Sequence, residues 1–135
     1  MAYKWDSSLE TGHEMIDKQH KQLVAALNNL LEACRNGTGK EELAKTLDFM
    51  TGYTIKHFAD EEKLQKQYQY PDYLIHKQYH DDFKIVVGDL ANQLLEEGPT
   101  DELVSLVNTS IGEWLLNHIK GDDFRMAAYV KAKTR

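Results

Sequence analysis

The sequence contains a single cysteine, two prolines and no long hydrophobic run, and each shortage excludes a class of protein. Because Cys34 has no second cysteine to pair with, an intramolecular disulfide is excluded, which is typical of proteins from reducing compartments. The longest apolar run, from Leu23 to Leu27, is far too short to cross a bilayer. The first residues also lack the apolar core of a signal peptide, so we expect a soluble, cytoplasmic protein without membrane insertion.

Basic residues are also in short supply. The chain has 16 Lys and Arg residues against 22 Asp and Glu residues, which gives a formal net charge of −6. An acidic surface repels a phosphate backbone, so nucleic acid is not an expected partner. The length of 135 residues suits one domain, and such a domain buries about two-thirds of the surface of its unfolded chain. We therefore expect residues 1–135 to form a single domain.

The sequence does contain four long segments in which apolar residues recur at steps of three and four, which places them on one face of a helix. Pro71 and Pro99 fall between these segments, where breaks are expected. Thr38 followed by Glu41 predicts a capping box at the start of the second helix, and Thr100 predicts the start of the fourth. The predicted helices cover about residues 16–36, 40–68, 71–97 and 100–120.

Long helices joined by short connections predict an all-α protein, an up-down-up-down antiparallel four-helix bundle. Residues 1–15 are predicted to form an N-terminal arm that Trp5 anchors. Gly121 is expected to loosen the end of the fourth helix. The tail, residues 124–135, is predicted to form a short C-terminal helix.

The apolar faces of these helices are interrupted by residues that do not belong in an ordinary core. Five of the six histidines and one glutamate stand where an apolar residue is expected, namely His20, His57, Glu61, His76, His80 and His118. A single histidine on such a face is usually a satisfied core residue. An unpaired buried ion commonly costs several kcal/mol, and one metal site would resolve all of these costs together.

The spacing of these residues agrees with a metal site. His57 and Glu61 are four residues apart, as are His76 and His80, so each pair shares one helix face. Imidazole suits iron, copper, zinc and nickel, and carboxylates bridge hard cations such as iron and manganese. The ligands are too many for one tetrahedral zinc ion and fit two ions that share carboxylate bridges.

Two aspartates compete for the role of a second bridging carboxylate. Asp122 lies four residues after His118 and would share its face in a regular helix. Asp123 lies five residues after His118, about 140° around a regular helix, and can point inward only if the helix loosens near Gly121. Spacing alone therefore favours Asp122 without deciding the matter.

The whole set of residues resembles the motif of the hemerythrin family in residue type, order and spacing. The matching positions are His20, His57-x-x-x-Glu61, His76-x-x-x-His80 and His118-x-x-x-x-Asp123. The segments 12–20 and 70–76 also look like those of bacterial members, and the resemblance covers essentially the whole chain. It implies a four-helix bundle, and it selects Asp123 as the second bridging carboxylate.

The resemblance further implies a non-haem centre of two iron ions, Fe2+ or Fe3+, joined by an oxo or hydroxo bridge and by Glu61 and Asp123. One iron would be coordinatively full, with the ligands His76, His80 and His118. The other would keep one position open for dioxygen, with the ligands His20 and His57.

The same resemblance implies an apolar pocket for dioxygen beside the open position. Its residues would be Leu23, Phe58, Trp114, Leu115 and Ile119. A stripe of this kind is also ordinary helix core, and both roles can hold together.

The remaining polar residues near the motif receive simpler interpretations. Asp60, Glu62 and Asp122 flank the ligands and are interpreted as solvated charges. His13 has no partner in the pattern and is interpreted as a residue of the arm. Cys34 is interpreted as a small buried apolar group.

The function implied is reversible binding of dioxygen for storage, delivery or sensing by a monomer that is not an enzyme, with an oxygen-consuming protein as a candidate partner. The alternatives are a di-iron peroxidase or oxidase, and a protein that handles nitric oxide or iron. The predicted helices carry no Glu-x-x-His pair of the kind found in ferritin-like di-iron bundles, which favours binding over activation of dioxygen. Weak peroxidase side activity is compatible with this prediction.

Overall fold

A computed structural model of the protein describes residue 3 and residues 5–134, and it is a bundle of four long antiparallel helices. No strand occurs in that part of the chain. The helices are α1 (Glu14–Arg35), α2 (Gly39–Gln67), α3 (Tyr73–Glu97) and α4 (residues 101–133). The all-α bundle predicted from the sequence is confirmed, and no helix in residues 5–134 is long and apolar enough to span a membrane.

The fourth helix is continuous but irregular. Its α-helical parts are Asp101–Val107, Trp114–His118 and Phe124–Lys133. Two π-helical turns, Asn108–Glu113 and Ile119–Asp123, connect these parts, and the residues at every junction keep right-handed helical dihedrals. Each π turn contains a glycine, Gly112 or Gly121.

This continuity corrects the boundary expected near residue 120. The predicted C-terminal helix exists, but it prolongs α4 through the second π turn. Met126, Ala127 and Val130 are buried in it, and their packing outweighs the cost of a glycine inside a helix, about 1 kcal/mol. Gly121 therefore loosens the helix without ending it.

The helix ends agree only in part with the caps predicted from the sequence. The Thr100 hydroxyl accepts a hydrogen bond from the Leu103 N–H at 3.0 Å, as predicted for an N-cap. Thr38 precedes α2, but its hydroxyl donates to the Ala33 carbonyl instead, so the predicted capping box with Glu41 is wrong. The loop has folded back onto the end of α1, and this occupies the hydroxyl.

The described part of the N-terminal arm, residue 3 and residues 5–13, lies along the bundle, and residues 1, 2 and 4 lie outside the described residues. The backbone N–H of Tyr3 donates to the Asn28 side chain at 2.7 Å, and that side chain donates back to the Tyr3 carbonyl. Trp5 packs against the core, as expected of an anchor. The His13 ring caps α1 by accepting a hydrogen bond from the Ile16 N–H at 3.4 Å.

The core is divided into two apolar clusters. The larger cluster fills the end of the bundle that contains Leu27, Met50 and Phe83. The smaller cluster, at the opposite end, consists of Ile16, Tyr70, Met126 and Val130. Along every helix, the buried polar residues of the predicted motif fall between the two clusters. Cys34 lies beyond the core on the last turn of α1 and is exposed, so its interpretation as a buried group is wrong.

Candidate metal centre

All seven predicted ligands meet in one buried layer of the bundle. Each helix contributes at least one side chain: His20 from α1, His57 and Glu61 from α2, His76 and His80 from α3, and His118 and Asp123 from α4. None of these residues is more than 4% exposed. The layer is therefore isolated from solvent although it contains two carboxylates.

Asp123 reaches this layer because of the second π turn. In a π-helix the hydrogen bonds join residues five apart, so residues at this spacing lie about one turn apart. His118 and Asp123 have this spacing and border the turn Ile119–Asp123. In the regular helix considered from the sequence, Asp123 would instead have pointed away from His118.

The Glu61 carboxylate divides its two oxygens between two groups of histidines. Oε1 lies 3.1 Å from His80 Nε2 and 3.4 Å from His76 Nε2. Oε2 lies 3.1 Å from His57 Nε2 and 3.4 Å from His20 Nε2. One carboxylate thus faces both sides of the layer.

The Asp123 carboxylate makes the same division. Oδ1 lies 3.0 Å from His76 Nε2 and 3.3 Å from His118 Nε2, and Oδ2 lies 2.8 Å from His20 Nε2. The layer therefore has two halves that share both carboxylates. The three-histidine half contains His76, His80 and His118, and the two-histidine half contains His20 and His57.

The inward-facing atoms of the layer fit a metal site. The inward nitrogens and oxygens lie as close as 2.8 Å to one another, but none of these contacts has the geometry of a hydrogen bond. Across the described residues, this holds for Nε2 of all five histidines and for all four carboxylate oxygens. Buried polar atoms are nearly always satisfied, because leaving one unpaired costs about 1–3 kcal/mol. In each half the candidate ligand atoms lie within 4.8 Å of one another. Imidazole nitrogens and carboxylate oxygens at this spacing fit a non-haem metal centre.

Imidazoles and carboxylates of opposite charge face each other in this layer. Burial disfavours the charged form of His20 and His76, but the carboxylates of Asp123 and Glu61 outweigh it and raise each pKa to about 9. Burial likewise opposes charge on His118, where the same carboxylates and Asp122 raise the pKa to about 10.

The pKa values of the two carboxylates shift downwards, opposite to those of the histidines. Burial would raise the pKa of Glu61, but the adjacent His57 and His20 hold it well below its ordinary value. Burial and the charge of Glu61 would raise the pKa of Asp123, yet His118 and His20 hold it far below its ordinary range. Both carboxylates are therefore ionised and ready to bind a cation.

Among the described residues, three of the five histidines have a hydrogen-bond partner for the outward nitrogen, Nδ1. Glu62 accepts from His80 at 2.9 Å, Asp122 accepts from His118 at 2.8 Å, and the Gln19 amide oxygen accepts from His57 at 2.7 Å. Such partners fix the ring orientation and leave Nε2 free to bind a metal.

These partners correct one interpretation and add one residue. Glu62 and Asp122 are not simple solvated charges, because each orients a ligand ring. Asp60 accepts from the Gln19 Nε2 group at 2.8 Å and so supports the third partner. The sequence analysis missed Gln19, although its place directly before His20 was an available signal. The four-residue step from His118 to Asp122 was likewise a signal for the role of Asp122.

The five residues of the predicted dioxygen pocket all belong to the larger apolar cluster. Leu23, Phe58, Leu115 and Ile119 are at most 1% exposed, and Trp114 is half-buried. The Phe58 ring stacks on His80 with centroids 3.8 Å apart, and the Trp114 ring stacks on His118 at 4.5 Å. The cluster thus supports two ligand rings of the three-histidine half, and its role as a dioxygen pocket stays a prediction.

Comparison with known proteins places this layer in context. Residues 11–130 match the family model described as the hemerythrin HHE cation binding domain. A bacteriohemerythrin of Pseudomonas aeruginosa is 35% identical over 129 residues, which cover 95% of this chain and 79% of that protein. A myohemerythrin of Theromyzon tessulatum is 31% identical over 123 residues, covering 91% of this chain and 89% of that protein. A crystal structure of a hemerythrin point mutant superposes with a TM-score of 0.80 at 25% identity, covering 96% of this chain and 98% of that one.

Metal loading is predicted to release protons. With pKa values of about 9, 9 and 10, the rings of His20, His76 and His118 are protonated at about pH 8 in the metal-free protein, whereas a ligating imidazole is neutral. Affinity for Co2+ should therefore rise with pH, and proton release should shrink as the pH passes these pKa values. Calorimetry in buffers of different ionisation enthalpy measures the release, and a release that is zero at pH 8 would contradict the prediction.

Proposed function

Because the chain belongs to the hemerythrin family, we propose that it binds dioxygen reversibly at a non-haem di-iron centre, for storage, delivery or sensing of oxygen. The observation that carries the proposal is the division of each carboxylate between the two halves of the layer. A carboxylate placed in this way is suited to bridge two cations. When bound, the iron pair supplies the two electrons that dioxygen takes up on binding and returns on release.

The proposed ligands follow the two halves. The three-histidine half offers three imidazole nitrogens and two carboxylate oxygens to one ion. The two-histidine half offers two nitrogens and two oxygens to the other, so this ion has one protein ligand fewer. Dioxygen would therefore bind at the ion that the two-histidine half would hold.

The side chains of the predicted dioxygen pocket would keep water and acids away from the bound ligand. Leu23, Phe58, Leu115 and Ile119 are almost fully buried and carry no group that exchanges protons. General acid–base catalysis needs a titratable group within hydrogen-bond reach of the substrate, and these residues offer none. Exclusion of water prevents side reactions of a reactive intermediate. These properties favour release of intact dioxygen over turnover by a peroxidase or oxidase.

We also propose that the protein works in the cytoplasm. Cys34 is exposed and unpaired, and a free thiol of this kind persists in a reducing compartment.

A visible absorption spectrum tests the proposed function. The iron-loaded, reduced protein is measured under argon, then in air, then again under argon. We expect a charge-transfer band that appears in air and disappears on deoxygenation. An irreversible change to a ferric spectrum with consumption of added peroxide would support the enzyme alternative instead, and absence of both iron uptake and band would reject both functions.

The ligand assignment is tested by the same substitution at two neighbouring aspartates. Asp123→Ala removes a carboxylate that both halves share, so we expect this variant to retain fewer than two iron ions per chain. Asp122→Ala removes only the partner of His118 Nδ1, and we expect it to keep two ions with about 10–100-fold weaker affinity. Iron content and competition with a chelator measure both effects. Two-ion loading that survives Asp123→Ala but not Asp122→Ala would show that the assignment is wrong.

A further inference from the structure

The two halves of the layer differ in the charge of the groups that hold their outward nitrogens. In the three-histidine half, His80 and His118 donate to the carboxylates of Glu62 and Asp122. In the two-histidine half, His57 donates to the neutral amide of Gln19. The remaining ring of that half, His20, has a buried Nδ1 without a partner among the described residues.

A carboxylate partner makes a histidine a stronger ligand. It pulls the Nδ1 proton towards itself, which raises the basicity of Nε2, and it places a negative charge one ring away from the metal ion. An amide oxygen does both to a smaller extent, because it carries only a partial charge. The inward ligand atoms also favour tighter binding in the three-histidine half, since that half offers one more imidazole nitrogen.

Nearby charges reduce the difference in negative charge between the two halves without removing it. Arg125 pairs with Asp122, but its side chain is 64% exposed and its charge is largely screened by water. In the other half, Asp60 brings a negative charge towards Gln19, but Lys56 lies 3.4 Å from this carboxylate. Glu62 contacts His80 directly and is itself only 15% exposed, so its charge acts at close range.

From these contacts we propose that the three-histidine half binds the first metal ion, more tightly than the two-histidine half binds the second. Glu62 and Asp122 are the positioning residues that set this order. The inference rests on the two-ion centre of the proposed function, but it concerns the metal alone and requires no dioxygen. The two-histidine half is then the part of the centre that loses its ion first.

Titration of the metal-free protein with Co2+ under argon tests the order. We expect two separate binding events in calorimetry and in the visible spectrum of Co2+. His57→Ala should retain the first event and lose the second, whereas His118→Ala should weaken the first event. Circular dichroism of each variant shows whether the bundle is folded, so a loss of binding can be separated from a loss of structure.

The role of Glu62 is tested by Glu62→Gln, which keeps the size and the hydrogen-bond acceptor but removes the charge. We expect the first Co2+ to bind about 10–100-fold more weakly, with little change in the second event. Asp81→Asn is the matched control, because Asp81 also follows a ligand in the chain but pairs with Lys77 and Lys84 on the surface. Its affinities should equal those of the unaltered protein.

The reverse experiment moves a charge towards His57 without changing the net charge. In the double variant Gln19→Glu, Asp60→Asn, the carboxylate accepts from His57 and the amide lies where Asp60 was. We expect the second Co2+ to bind about 10-fold more tightly, which narrows the gap between the two events.

Three results would overturn the proposal: one cooperative step for both ions, a first event that is lost in His57→Ala, or a Glu62→Gln affinity equal to that of the Asp81→Asn control. Each of these can occur in a protein that still shows the reversible dioxygen band. Conversely, an ordered Co2+ titration in a protein without this band would reject the oxygen function and leave the loading order intact.

Discussion

The structure depends on the sharing of two buried carboxylates between two groups of imidazoles. Glu61 and Asp123 each direct one oxygen to the three-histidine half and one to the two-histidine half. Many of the inward polar atoms of this layer are buried without hydrogen-bond geometry, which costs stability that a bound cation would restore. The apolar clusters on either side of the layer supply the stability that keeps it closed, and in each half the candidate ligand atoms lie within 4.8 Å of one another.

The π turn of α4 is the local feature that makes this sharing work. It directs Asp123 inward at the same time as Asp122 accepts from His118 Nδ1. In a regular helix, consecutive aspartates at these positions could not both serve the centre. π turns often occur at functional sites, because they trade regular hydrogen bonding for a change of side-chain direction. Here the change moves a carboxylate into a layer where both groups of imidazoles contact it.

Apolar periodicity is sufficient to predict the bundle and the five histidines and one glutamate that meet in its centre, because both are properties of a single helix. It is not sufficient for Asp123, which spacing in a regular helix disfavours and which only the resemblance to the hemerythrin family selected. It is insufficient where a contact joins separate elements. The exposure of Cys34 depends on how far α1 extends beyond the core, and the Thr38 hydroxyl follows the path of a loop. Gln19 and Glu62 flank ligands in the chain, but only the packing of α1 against α2 and of α2 against α3 brings their side chains to Nδ1 of His57 and His80. The continuation of α4 past Gly121 likewise depends on tertiary packing.

Anomalous diffraction at the iron edge, from crystals of the iron-loaded protein, tests directly whether both carboxylates are shared between two metal ions. We expect two separate peaks in the buried layer, each within bonding distance of one oxygen of Glu61 and one oxygen of Asp123. The first peak should lie beside His76, His80 and His118, and the second beside His20 and His57. A single peak, or two peaks of which one lies out of reach of either carboxylate, would contradict this sharing.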